Sequence, residues 1–354
     1  MAIKLPKLIP GWIYCIREED YLDGSIGRYV KLGLTKRTVA DRIREHQTGN
    51  PRKEVSEYDH HMQLMHYTEN FLHHYFAYDR IAGEWFDMDS NRVITEVKPL
   101  LERLEIEQAS AMPNIERWVE LKEMTSNGTI RSANVAEQAL HDQYKIADEE
   151  LTLASAQHTI HDYNIRALIG SADGIENVVT LILKTYNDVC DVTALKATLS
   201  AQEIAQCEDT STKLSGSLTI TGGRKLNELD VGLAASLEQA KNSIGPKPTP
   251  ANLVNSTKSL VQDIKDEHIE WLRTLREQKE AEWTCLQLGA QLVVALDEDE
   301  QIEGVIKWKR QNKTTTSFKS TMAKELFETR YNASLQPKDD SVDVKIHEGR
   351  TYVP

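Results

Sequence analysis

Cysteine is scarce in this 354-residue chain: there are four, Cys15, Cys190, Cys207 and Cys285, and none stands in a C-x-x-C pair. That scatter excludes a zinc ribbon and a dense disulfide framework, and it suits a reducing compartment. Long apolar runs are missing too. None approaches the roughly 20 residues a membrane span needs, so no membrane partner is expected. Two prolines interrupt the opening stretch MAIKLPKLIPGWIYCI and no small-residue cleavage site follows, so the expectation is a cytoplasmic protein without a secretory signal. An excess of positive charge is also absent. With 42 Lys and Arg against 55 Asp and Glu, the formal charge of −13 argues against indiscriminate coating of nucleic acid. What remains is an ordinary mix, 40% hydrophobic and 27% charged, long enough for two or three domains.

The charge is unevenly spread. Residues 1–112 hold 15 basic against 18 acidic residues, and the rest of the chain carries 27 against 37. Within the first part, Lys31, Lys36, Arg37, Arg42, Arg44, Arg52 and Lys53 are opposed only by Asp41 and Glu45 between positions 31 and 53. Any contact with DNA is expected from this local stretch.

The runs GWIYCI (11–16) and YVKLGL (29–34) are β-branched and aromatic, and a polar segment containing glycine separates them, which predicts a hairpin. VADRIREH (39–46) has helical spacing and ends before the turn signal TGNP. A second helix is predicted over 65–78. EWFDM follows Gly83, and a further helix runs to about 107. This order predicts a small α+β domain over residues 1–112. Beyond it the pattern becomes mainly helical, with long polar helices predicted at 134–169 and 253–296. The segment SIGPKPTPAN (243–252) reads as a Pro-rich linker dividing 113–242 from 253–354. GIENVVTLI (174–182) aligns with QIEGVIKWK (301–309), and the same offset sets Leu195 on Met322 and Leu199 on Leu326. Two related helix-strand-helix-strand units are therefore expected, their long helices packed together within one chain or as coiled coils between two.

In the first domain, Tyr14 and Lys31 occupy matching places in the two hairpin arms. Arg42 and His46 share one helix face, and Glu69 and His73 repeat that spacing on the next helix. A single carboxylate suits Mg²⁺ (or Mn²⁺), which keeps most of its waters, and arginine matches the charge of an in-line phosphoryl transition state. Tyrosine acts as a base only where nearby cations depress its pKa, and Lys31 and Arg42 are the candidates for that. His60, His61, His66, His73 and His74 invite a zinc reading. No H-E-x-x-H is present and no cysteine lies in this stretch, so most are read as surface or core residues.

GWIYCI, YVKLGLT, DRIREH, ENFLHHYF and GEWF, in this order, resemble the GIY-YIG endonuclease superfamily over about residues 9–110, and within it the phage-type branch with K-x-G-x-T and G-E-W-F motifs. The resemblance implies a small α/β nuclease domain that hydrolyses DNA phosphodiester bonds with one divalent metal. Tyr14 would contact the attacking water, Lys31 would stand where many members have a second tyrosine, and Arg42 would stabilise the transition state. His46 matches the histidine one turn later, Glu69 the metal-binding glutamate, and Gly33 the glycine of the second motif. The late asparagine of other members has no clear counterpart, with Glu84 or Asn91 nearest. Trp85 and Phe86 read as core residues, and Glu84 as a residue fixing their turn. Lys36, Arg37, Arg44, Arg52 and Lys53 would position the DNA backbone. If phage-encoded, the protein would act inside a bacterial host.

The remaining chain offers no catalytic cluster. RALIGSADGIENVV (166–179) resembles the helical tail of YqaJ-like phage recombinase exonucleases, which implies an accessory module for targeting or for assembly with a second copy or a protein partner. VIKWKRQNK (305–313) is its sole basic candidate for DNA, and the acidic balance favours assembly. The alternative for the whole chain is a nuclease fold that cuts weakly or not at all and serves as a DNA- or protein-binding factor.

Overall fold

A computed structural model describes residues 4–48, 50–245, 248–252 and 256–353. The chain is α+β, as its sequence pattern predicts. The expected hairpin forms from β1 (Gly11–Glu19) and β2 (Ile26–Thr35), and α1 (Val39–Gln47) follows, capped by the Thr38 hydroxyl on the Asp41 amide. A strand absent from the sequence reading, β3 (Lys53–Met62), then pairs along the whole length of β1. Next come α2 (Met65–Tyr75), β4 (Arg80–Ala82) and β5 (Trp85–Phe86), giving an antiparallel sheet in the order β3-β1-β2-β5-β4.

The short α3 (Ser90–Arg92) passes through a π turn, Val93–Val97, into α4 (Lys98–Leu121). The boundary expected at residue 112 thus falls inside a helix. Pro113 sits on its exposed side, where a missing N–H costs one bond and no packing. After β6 (Ile130–Arg131), α5 (Val135–Ile169) opens on a capping box formed by Asn134 and Glu137, close to the expected start. Its partner α10 (Gln262–Leu296) begins later than expected, because 256–261 is extended; residues 253–255 of the expected helix lie outside the described residues. These two helices have 35 residues each, about 52 Å at 1.5 Å per residue, and they pack against each other within the one chain.

After α5 come β7 (Gly174–Ile175), β8 (Val179–Lys184), β9 (Val189–Cys190), α6 (Val192–Ala197), α7 (Ala201–Gln206), β10 (Glu208–Ser215) and β11 (Leu218–Ile220). The helices α8 (Leu226–Leu229) and α9 (Val231–Ser243) then lie along α5. The same order recurs after α10: β12 (Gln301–Ile302), β13 (Ile306–Trp308), β14 (Gln311–Phe318), α11 (Ser320–Leu326), α12 (Glu328–Ala333), β15 (Leu335–Gln336) and β16 (Ser341–Ile346). The two units exchange strands: β8 pairs with β16, β9 with β15, β10 with β14, and β11 with β13. Both arms meet at a small apolar cluster, where the aligned positions Leu195 and Met322 lie together with Leu199 and Phe327. Leu326, aligned with Leu199, is exposed instead. The accessible surface of 19087 Å² exceeds the roughly 14,500 Å² of a compact monomer of this mass, as expected of ribbons standing clear of the main body.

One core joins the first sheet to the long helices. Phe71, Leu72, Phe86, Leu101 and Leu104 continue into Trp283, Leu286, Val293 and Trp308 without a break. The Trp283 ring lies tilted against the Tyr67 ring at 5.0 Å and donates its indole N–H to Glu107 at 2.7 Å. All four cysteines are free thiols, and burial pushes those of Cys15, Cys207 and Cys285 up. No helix among the described residues is long and apolar enough to cross a membrane.

The chain returns to the first sheet at 347–352. His268, fully buried on α10, holds this segment through the Tyr352 hydroxyl and the His347 carbonyl, both at 2.8 Å. Burial pulls the His268 pKa from 6.5 down to about 4. A depressed histidine stabilises the fold fully above pH 6.5 and loses that contribution as pH falls towards 4, because only the unfolded chain takes the proton there. Urea titrations should therefore show a loss on the order of 3 kcal/mol between pH 6.5 and 4. His268→Gln should flatten that acid limb.

Candidate active site

Antiparallel pairing places Tyr14 directly opposite Gly33. The Tyr14 ring lies across this glycine so closely that a Cβ at position 33 would stand 2.5 Å from the phenolic oxygen. Gly33 is thus required for this close contact. Two residues earlier on the same face of β2, Lys31 reaches α1, with its Nζ 3.4 Å from each ring nitrogen of His46. The same Nζ is 3.5 Å from Glu84. Arg42, one turn before His46, lies against the Tyr14 hydroxyl and touches Glu45 at 3.4 Å.

The open edge of β2 brings in the carboxylates. β5 pairs with β2 only at Val30 and Lys31, so the backbone of Leu32 finds other partners. Its N–H donates to the Glu84 carbonyl at 2.9 Å, and His73 Nε2 donates to its carbonyl at 3.0 Å. The first bond holds the Glu84 loop and the second anchors α2, one turn from Glu69. His73 is therefore a positioning residue, and Glu84, read from sequence as fixing a turn, also lends its carboxylate to the site. Among the described residues no group of three or more His, Cys, Asp and Glu is arranged to hold a metal, and His66 and His73 do not join Glu69 in one.

The electrostatics follow from burial. Tyr14 is 1% exposed, and burial raises its pKa above 10 despite Arg42, with Glu84 and Glu69 adding to the rise. The condition under which Tyr14 could act as a base is not met, since burial outweighs the lowering by Arg42, and this phenol stays protonated. His46 moves the other way: burial, then Lys31 and Arg42, lower its pKa and keep it neutral. Glu69 is pushed up to about 7 by burial and by Glu84, against a smaller pull from Arg80. It has no hydrogen-bond or ion-pair partner among the described residues. A half-buried, unpartnered carboxyl beside a second carboxylate fits a divalent cation, with Glu69 as the ligand and Glu84 next to it.

Arg80 and Glu348 escaped the sequence reading because no local pattern links them to the site. Arg80 donates to the Gly83 carbonyl at 2.6 Å and pairs with Glu348 at 3.2 Å. The Arg350 amide then donates to the Arg80 carbonyl at 2.6 Å. His74 and Arg80 pull the Glu348 carboxyl down to about 2. Segment 348–350 thereby fastens the strand that carries the Glu84 loop.

The basic stretch is less open than its composition implied. Arg37 pairs with Glu45, Arg44 with Asp41 at 3.2 Å, and Lys53 with Glu19 at 3.1 Å, while Arg52 lies 4.0 Å from Glu18. Lys36 is exposed and has no partner among the described residues. Glu18 and Glu19 come from β1 and were invisible in a count over 31–53. No family model matches the chain, and no curated protein or solved structure matches it.

Because Glu69 must be ionised to hold a cation, Mn²⁺ affinity measured by calorimetry should rise between pH 6 and 8, through about 7. Glu84→Gln removes one of the two causes of the upward shift, so the rise should move to lower pH.

Proposed function

We propose that the protein is a metal-dependent DNA endonuclease, the reading implied by the motif resemblance. The observation that supports it is the convergence of Tyr14, Lys31, Arg42, His46, Glu69 and Glu84 from four elements and a loop onto one face around Gly33. A divalent cation at Glu69 would supply Lewis-acid stabilisation of phosphate charge when bound. The protein groups divide the remaining work according to their protonation states. Neutral His46 can take a proton from the attacking water, and the Lys31 ammonium at 3.4 Å, which disfavours the imidazolium so formed, drives that proton on to solvent. Arg42 is permanently charged and would meet the non-bridging oxygens of the in-line transition state. Protonated Tyr14 serves as a hydrogen-bond donor towards phosphate or water rather than as a phenolate base. Tyr14 thereby keeps the contact with the attacking water that the resemblance implies, and the role of base passes to His46.

The test is cleavage of supercoiled plasmid with Mg²⁺ or Mn²⁺. Glu69→Gln should abolish metal-dependent cutting, and Arg42→Ala should reduce it at unchanged metal affinity. His46→Gln should cost about 10²–10⁴ in rate and leave the acidic limb of the pH–rate profile to the ionisation of Glu69 at about 7 alone. Cutting that persists in Glu69→Gln would sink the proposal. Clean DNA binding without cutting by any variant, the unsubstituted chain included, would establish the binding-protein alternative.

A further inference from the structure

The β10–β14 ribbon is exposed on both faces along its middle. From Thr210 to Ser215 and from Gln311 to Thr316 it contains no acidic residue, in a chain whose net charge is −13. Its register and the alternation of side chains put Thr210 and Thr212 on one face with Thr316 and Thr314. There the hydroxyls satisfy one another, Thr210 with Thr316 and Thr212 with Thr314, each at 2.8 Å. The opposite face presents Ser211, Lys213 and Ser215 beside Thr315, Lys313 and Gln311. None of these six side chains has a hydrogen-bond or ion-pair partner among the described residues. Lys213 stands directly opposite Lys313, an arrangement that weakens a ladder, so the fold gains nothing from it.

The related arm shows that such chemistry is not needed to tie the far cluster to the body. At the equivalent place the 127-residue offset sets Lys313 on Tyr186, whose amide donates to the Asp340 carboxylate at 3.2 Å, and Lys184 nearby closes on Asp343. One arm carries acid at this place. The other is hydroxylated, free of acid and doubly cationic.

We propose that the Ser211–Lys213–Lys313–Thr315 face of this ribbon enters the major groove of duplex DNA and reads base edges. A two-stranded antiparallel ribbon fits that groove. Lysine suits guanine O6 and N7, glutamine suits adenine, and serine and threonine hydroxyls accept either partner. Six residues per strand extend about 20 Å, the rise of about six base pairs. Phosphates flanking the groove relieve the repulsion between the paired lysines, while the acidic surface elsewhere repels DNA from other faces. The inference goes beyond the nuclease proposal, since it gives the protein a sequence reader remote from the candidate active site, and it stands on the ribbon alone.

The test uses the full chain without divalent metal, so that binding is measured apart from cutting. A randomised duplex library is selected on the protein, and the enriched duplex is titrated by fluorescence anisotropy. The unsubstituted chain should enrich a defined motif and protect its guanine N7 atoms from dimethyl sulfate. Lys213→Ser combined with Lys313→Ser and Gln311→Ala should weaken binding to that motif about tenfold or more and lose the N7 protection. The milder pair Ser211→Ala and Thr315→Ala should relax the motif in the same direction, whatever the folding of the triple variant. Lys345→Ser, on the other arm, should change neither reading. Failure to enrich any motif, or an unchanged motif and affinity in both ribbon variants, overturns the proposal. A dimer in size-exclusion chromatography that the ribbon substitutions dissociate, with DNA binding unaltered, overturns it in favour of strand pairing between two copies. Glu69→Gln scores the nuclease reading separately: cutting that survives it removes that reading and leaves the ribbon result standing.

Discussion

The antiparallel packing of α10 on α5 is the constraint from which the rest of the molecule takes its place. Along its N-terminal half α10 buries Ile264, Trp271, Leu272 and Leu275 against Ile165, Ile169 and Ile346. Along its C-terminal half it buries Trp283, Leu286, Val293 and Leu296 in the core shared with the first sheet. The same helix thus supports the candidate site from behind and sets where each ribbon departs. Area burial on this scale, at about 25 cal/mol per Å² of apolar surface, outweighs any of the surface ion pairs around it.

The candidate site shows how an incomplete sheet edge becomes useful. A longer β5 would have paired with Leu32 and shut α2 out of the strand. Its two-residue length leaves one N–H and one C=O to be satisfied by Glu84 and His73. Those two bonds bring a carboxylate and a helix to the face where Tyr14 and Lys31 stand. Buried polar groups have to find partners, and here their partners carry the chemistry.

Much of this was legible in the chain. The hairpin, α1, α2 and α5 follow from periodicity, and the recurrence of elements follows from the alignment of 174–182 with 301–309. β3 was not, because KEVSEYDHHM is an edge strand with polar side chains on both faces and lacks the alternation that marks a half-buried strand. The length of α4 was hidden by Pro113, a helix breaker by propensity but tolerated on a solvent face. Candidate residues were found where chemistry and spacing coincide, as with Arg42 and His46. Their protonation was not, since the burial of Tyr14 and the approach of Glu84 to Glu69 are tertiary facts. Nor could any one-dimensional pattern reveal that the two units exchange strands.

That exchange has a consequence for how the protein is made. β8 emerges from the ribosome long before β16, and it stays without its partner until residues 341–346 have been synthesised. The pairing therefore closes across about half the chain, a long loop whose entropy makes it a late event. The strand that carries the Glu84 loop is fastened by Glu348 and Arg350, which arrive later still. A nascent chain holds every candidate catalytic residue by position 84, yet completes their support only once residues 348–350 have been made. Maturation of the site is thereby tied to synthesis through residue 350, and a chain terminated before it carries the motifs without the frame that arranges them.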